Sequence, residues 1–169
     1  TFFPRAKENA SGTSMMLNLA KYLAMPEHKP KYNLLFIDFA GEEAGLVGSK
    51  HYTGNPLLPL EKIKFLVNLD LLGTGEEGIM VVNATEYKDA FEKLKAINSE
   101  KNYVVKVGER GKAKNSDHYY FSENNVPAFF IYTLGGVSFY HDVLDRSETL
   151  PLTDFEDVFR LLRDFEETF

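Results

Sequence analysis

Strand-like and helical segments alternate along this 169-residue chain and predict an α/β fold, a three-layer α/β/α sandwich around a mostly parallel mixed sheet. Two observations carry the prediction. The strand-like segments are continuous apolar runs rather than alternating ones, as expected of strands covered on both faces. The intervening segments show apolar residues at helical spacing, as crossover helices require. The length fits one domain, so residues 1–169 are read as a single unit. Residues 12–24 place Met15, Met16, Leu19, Ala20 and Leu23 on one helical face, with Ser11 or Thr13 as the cap, and Pro26 and Pro30 mark the loop beyond. Residues 32–39 read as a buried strand that runs directly into Ala40-Gly41-Glu42-Glu43. A short helix over 46–52 is broken by Gly54, Asn55 and Pro56. Residues 63–69 form a second strand ending at Asp70, and 79–83 a third. An amphipathic helix covers 86–99 through Ala90, Phe91, Leu94 and Ile97. A fourth strand spans 103–107, a short helix 117–122 and a fifth strand 128–132. The tail from Thr153 is helical, with Phe155, Val158, Phe159, Leu162 and Phe165 on one face.

Composition removes several function classes. A net charge of −6 and a pI near 5.3 give no general attraction to phosphate backbones, which argues against nucleic-acid binding and suits cationic ligands. No apolar run approaches the ~18 residues of a membrane helix. There is no cysteine, so disulfides and thiolate metal sites are excluded. The chain opens on Thr1-Phe2-Phe3-Pro4-Arg5 without an initiator Met or a signal-peptide pattern, and is expected to be a processed, trimmed or partial chain.

Ligands of open α/β sheets bind at the carboxyl ends of the strands, and there the sequence places its most reactive groups. The first strand leads to Glu42 and Glu43, the second to Asp70, and the fifth to His141 through Gly135 and Gly136; Glu8-Asn9-Ala10-Ser11-Gly12 precedes the first helix. Carboxylates and an imidazole without thiolate suit zinc in a catalytic site. Adjacent Glu42 and Glu43 can point apart, one toward a metal and one toward the attacking water. Taken singly, each has a plainer explanation: Glu-Glu pairs are usually solvated, Asp70 can end a turn, and His141 can hydrogen-bond its loop beside Asp142 and Asp145.

Ala6-Lys7-Glu8-Asn9-Ala10-Ser11-Gly12, Phe39-Ala40-Gly41-Glu42-Glu43-Ala44-Gly45-Leu46-Val47-Gly48-Ser49, Asn68-Leu69-Asp70, Ser116-Asp117-His118 and Tyr140-His141 with Asp145 occur in one order. Together they resemble the zinc-dependent aminopeptidases of the bacterial leucyl aminopeptidase type, relatives of glutaminyl cyclases and of the transferrin-receptor ectodomain. The similarity runs from about Pro4 to Leu152. It implies a zinc exopeptidase that hydrolyses amino-terminal peptide bonds with metal-activated water. Glu42 resembles the general base and Glu43 a ligand of one zinc, shared with His141. Asp70 resembles a ligand of the other zinc, and Glu8 stands where the family has its bridging carboxylate. Asp117 and His118 resemble a segment lying behind the ligands, with a helix cap as an equal reading. Tyr140 allows an apolar side-chain pocket, and Asp145 either orients the His141 loop or caps a turn.

Two departures shape the expectation. The family takes one zinc ligand from an upstream His-x-Asp motif, and no such motif occurs here; the bridging position is Glu rather than Asp. Glu8, Glu43 and His141 then supply three ligands and an open position for one zinc, whereas Glu8 and Asp70 alone are too few for a second. One zinc ion is therefore expected in preference to two, in a domain lacking its N-terminal part. The expected partner is a peptide with a free amino terminus, and the uncovered sheet offers a route to a homo-oligomer. Competing readings are a metal-depleted domain used for protein interaction and a single-zinc enzyme like the glutaminyl cyclases. The resemblance implies an extracytoplasmic protein, periplasmic or secreted, although the sequence itself leaves the compartment unknown.

Overall fold

Among the described residues, four strands build one sheet in the order β1-β4-β2-β3: β1 is Leu66–Leu69, β2 Gly78–Val82, β3 Val107–Glu109 and β4 Ala128–Leu134. The computed structural model describes residues 4–137 and 139–169. β1 runs parallel to β4 with Leu66 opposite Ala128, and β2 runs parallel to β3 with Ile79 opposite Val107. β2 and β4 are antiparallel, with Gly78 opposite Leu134, so the sheet is mixed as the sequence predicts. β4 is one of the two interior strands and is apolar throughout most of its length, because both of its faces are covered.

The helices α1 (Ser11–Leu23), α2 (Val47–Gly54), α3 (Lys88–Lys101), α4 (His118–Glu123) and α5 (Phe155–Glu166) divide between the two faces. α1, α3 and α5 bury Met15, Leu19, Phe91, Leu94, Leu161 and Phe165 against Ile79, Val81, Phe129 and Ile131. α2 and α4 cover the opposite face with Tyr52 and Phe121, joined by Val126, Ile37 and Phe39. The larger core is aromatic at its centre: Phe129 meets Phe65 edge-on at 4.9 Å and stacks with Phe165 at 6.0 Å. Phe129→Ala should cost about 3–5 kcal/mol in denaturant unfolding, because the close-packed rings around it cannot collapse into the void. A loss below ~1 kcal/mol would mean that the site repacks.

Three expectations need correction. Residues 32–39 form no strand: they have no regular secondary structure and pair with no strand among the described residues, and Leu34, Leu35 and Phe36 are 38%, 53% and 39% exposed. A cleft of about 650 Å³ is lined by Ile37, Asp38 and Phe39 of this segment and by Val67, Asn68 and Leu69 of β1. High β propensity cannot make a strand where the neighbouring backbone is out of hydrogen-bonding reach. The strand expected at 103–107 begins at Val107 instead. The reason lies in Asn98 at the end of α3, whose amide binds both the N–H and the C=O of Val104 at 2.9 Å and diverts that backbone from the sheet. The cap of α1 is also neither Ser11 nor Thr13: Asn9 Oδ1 accepts the Gly12 N–H at 3.1 Å.

Candidate metal centre

Three chain segments deliver the donor groups. The irregular turn Ala6–Ala10 carries Glu8, and Asn9 anchors it by donating its amide to the Leu69 carbonyl at the end of β1 (3.3 Å). Gly12 makes this junction possible, since a Cβ there would lie 2.3 Å from that carbonyl oxygen. Ser11 Oγ adds a second tie, donating to the Lys7 carbonyl (2.6 Å) and accepting the Leu72 N–H (3.0 Å). A tight turn before α2 carries Glu42 and Glu43: the Gly45 and Leu46 N–H groups both donate to the Glu42 carbonyl, at 2.9 and 2.7 Å. The loop after β4 carries Tyr140 and His141. Ser138 lies outside the described residues.

Glu8, Glu43 and His141 come together, with one donor atom from each within 4.8 Å of the others. His141 Nε2 is 3.0 Å from Glu43 Oε1 and 3.2 Å from Glu8 Oε1. A single ring nitrogen cannot serve two carboxylates with one proton. Both Glu8 oxygens lie 3.2 Å from that nitrogen, the buried Oε2 without a well-formed hydrogen bond among the described residues, and Arg5 already reaches Glu43 Oε1 at 3.2 Å. Two carboxylates converging on one ring nitrogen, one of them buried, fit a divalent cation, and the oxygen and imidazole chemistry suits zinc. Tyr140 stacks on the His141 ring at a centroid distance of 4.0 Å and restrains its orientation.

The electrostatics follow from burial. Glu8 is pushed up to about 7, chiefly by desolvation and then by its hydrogen bond to Glu43, which falls correspondingly. His141 is raised, first through its contact with Glu43. Glu42 lines the same cleft, half-buried and outside the three-donor group, and is raised by desolvation and by Asp117. Asp70 lies in the cleft but not within the cluster; its Oδ1 accepts the Leu71 N–H at 2.7 Å, and burial pushes it to about 7. Asp117 is buried, with Oδ1 unpartnered, and is raised by desolvation.

His118 lies behind the cleft at 0% exposure, 5.5 Å from the Phe130 ring, with neither ring nitrogen in a well-formed hydrogen bond. Burial lowers it to about 4. Between its ordinary pKa near ~6.5 and about 4, the unfolded chain binds the proton that the folded chain refuses, so stability falls as the pH drops through that window. His118→Leu should remove on the order of 2–3 kcal/mol of this acid sensitivity. Thermal unfolding at pH 7.5 and 4.5 tests it, and an equal loss of midpoint in both proteins would refute the assignment.

Some of the arrangement lies outside the expectation. The Arg5 pairing with Glu43, the Asn68 amide donating to Ser116 Oγ at 2.6 Å and the backbone partners of Asp145 join positions far apart in sequence. The only sequence signal for the second was that both residues fall in the quoted motifs.

Carboxylates and an imidazole gathered at the strand ends of a mixed sheet between two helical layers are the frame of a metallopeptidase domain. The family described as Peptidase family M28 matches residues 4–165, and the chain belongs to that family. Aminopeptidase YwaD of Bacillus subtilis is 41% identical over 78 residues, 45% of this chain and 16% of that protein. The structure of BSAP, a zinc aminopeptidase from Bacillus subtilis, superposes with a TM-score of 0.81 at 25% identity, covering 98% of this chain and 42% of that one. The aminopeptidase from Aneurinibacillus sp. strain AM-1 gives 0.80 at 26% identity, covering 96% and 39%. The chain thus spans less than half the length of these solved structures. No helix among the described residues is long and apolar enough to cross a membrane.

Proposed function

We propose that this domain is the catalytic part of a zinc-dependent aminopeptidase, holding one zinc ion through Glu8, Glu43 and His141. The convergence of those three donors within 4.8 Å carries the reading, and membership of the M28 family supports it. When bound, zinc supplies Lewis-acid polarisation of the scissile carbonyl and lowers the pKa of water. Glu42 takes a proton from the attacking water and returns it to the leaving amine as the peptide C–N bond breaks. Its raised pKa brings it nearer to neutral pH, where a base that must also release the proton works best. The acidic cleft walls, Glu42, Asp70 and Asp117, attract the ammonium group of a substrate amino terminus.

Elemental analysis after dialysis against trace zinc tests the site. The expected result is about one zinc per chain, the number that a single three-ligand site holds, with leucine-amide hydrolysis that is lost on chelation. A chain that retains no zinc overturns the reading.

A further inference from the structure

The turn carrying Glu8 and the loop carrying His141 are 133 residues apart in sequence, and one side chain ties them together. Asp145 is 3% exposed. Its Oδ1 accepts the Lys7 N–H at 2.7 Å, its Oδ2 the Glu8 N–H at 3.3 Å, and its own carbonyl the Ala6 N–H at 3.1 Å. Three successive backbone donors of the Glu8 turn therefore end on one residue. On the other side, the Asp145 N–H donates to the Asp142 carbonyl at 3.1 Å, closing the turn that follows His141. Lys7 Nζ reaches the Val137 carbonyl at 3.3 Å, so the Glu8 turn also grips the loop ahead of His141.

We propose that Asp145 is a positioning residue: its carboxylate fixes the backbone of Glu8 against the His141 loop and thereby sets the zinc affinity of the site. The inference rests on the zinc reading above. Both carboxylate oxygens of Asp145 accept backbone N–H groups, which makes it a brace rather than a ligand. The brace matters because Glu8 is itself buried, and a buried carboxylate gains by swinging toward water unless its backbone is held. Hydrogen bonds accepted by an ionised carboxylate are strong enough to hold it. Asn at 145 would set an amide N–H₂ against one of the two backbone donors and release that half of the clamp.

The test measures zinc affinity by chelator competition in the wild type, Asp145→Asn, Glu8→Ala and the double variant. Asp145→Asn should bind zinc about 10–100-fold more weakly, the usual effect of losing a residue that orients a ligand. In the Glu8→Ala background the same change should add less than about twofold, because a brace has nothing left to position. Affinity within about threefold of wild type, or losses that multiply in the double variant, would overturn the proposal. If Asp145→Asn does not fold, Asp145→Glu carries the test under the same criteria, and failure of both to fold assigns Asp145 to stability alone and overturns it. A wild-type chain without zinc refutes the zinc reading and this one with it.

Discussion

Glu42→Gln should lower leucine-amide hydrolysis by about 10²–10⁴-fold, the range supplied by a positioned general base, while zinc affinity stays close to that of the wild type. The dissociation of the two readouts follows from the geometry. Glu42 lines the cleft but is not one of the three converging donors, so Gln preserves the shape of the wall and removes only the proton acceptor. A variant that keeps more than about a tenth of the activity would sink the role given to Glu42. A variant that loses zinc as well would make Glu42 a ligand, and the division of labour between Glu42 and Glu43 would be wrong.

The second large effect is expected at His141. His141→Ala removes the only imidazole among the three donors and leaves Glu8 and Glu43 to face each other. Zinc affinity should fall by more than the ~10–100-fold typical of losing a residue behind a ligand, and hydrolysis should fall with it. His141 is exposed and its loop is held elsewhere, so the fold should survive. Equilibrium dialysis beside circular dichroism separates the two quantities. Unchanged zinc affinity in a folded variant would remove His141 from the site.

Much of this was legible in the sequence, for physical reasons that differ by element. α1, α3 and α5 declare themselves because an apolar stripe at helical spacing has one way to be buried. β4 is legible because a run such as Ala128–Leu134 is apolar on both sides of its pleat. Residues 32–39 carry the same signal and misled the reading, since composition reports the wish for a neighbour and not its presence. The start of β3 was hidden because it depends on one amide, Asn98, folding back on Val104. At the site, Glu8, Glu43 and His141 could be named from ordered motifs. Asp145 could be named too, as orienting the His141 loop or capping a turn, but its contact with the Glu8 turn could not, because the three donors lie at Ala6, Lys7 and Glu8, at the far end of the chain.

Those long separations have a consequence for how the ion and the polypeptide depend on each other. Glu43 and Glu8 are 98 and 133 residues from His141, so no short stretch of the unfolded chain contains the proposed chelate. Zinc affinity is then a property of the folded state alone, and every increment of binding free energy is transferred to the folding equilibrium. At a free zinc concentration one hundred times its dissociation constant, that linkage would amount to roughly 2.7 kcal/mol. Cooperative unfolding would release the ion at the midpoint where tertiary structure is lost, and the bound metal would serve as a reporter of global integrity.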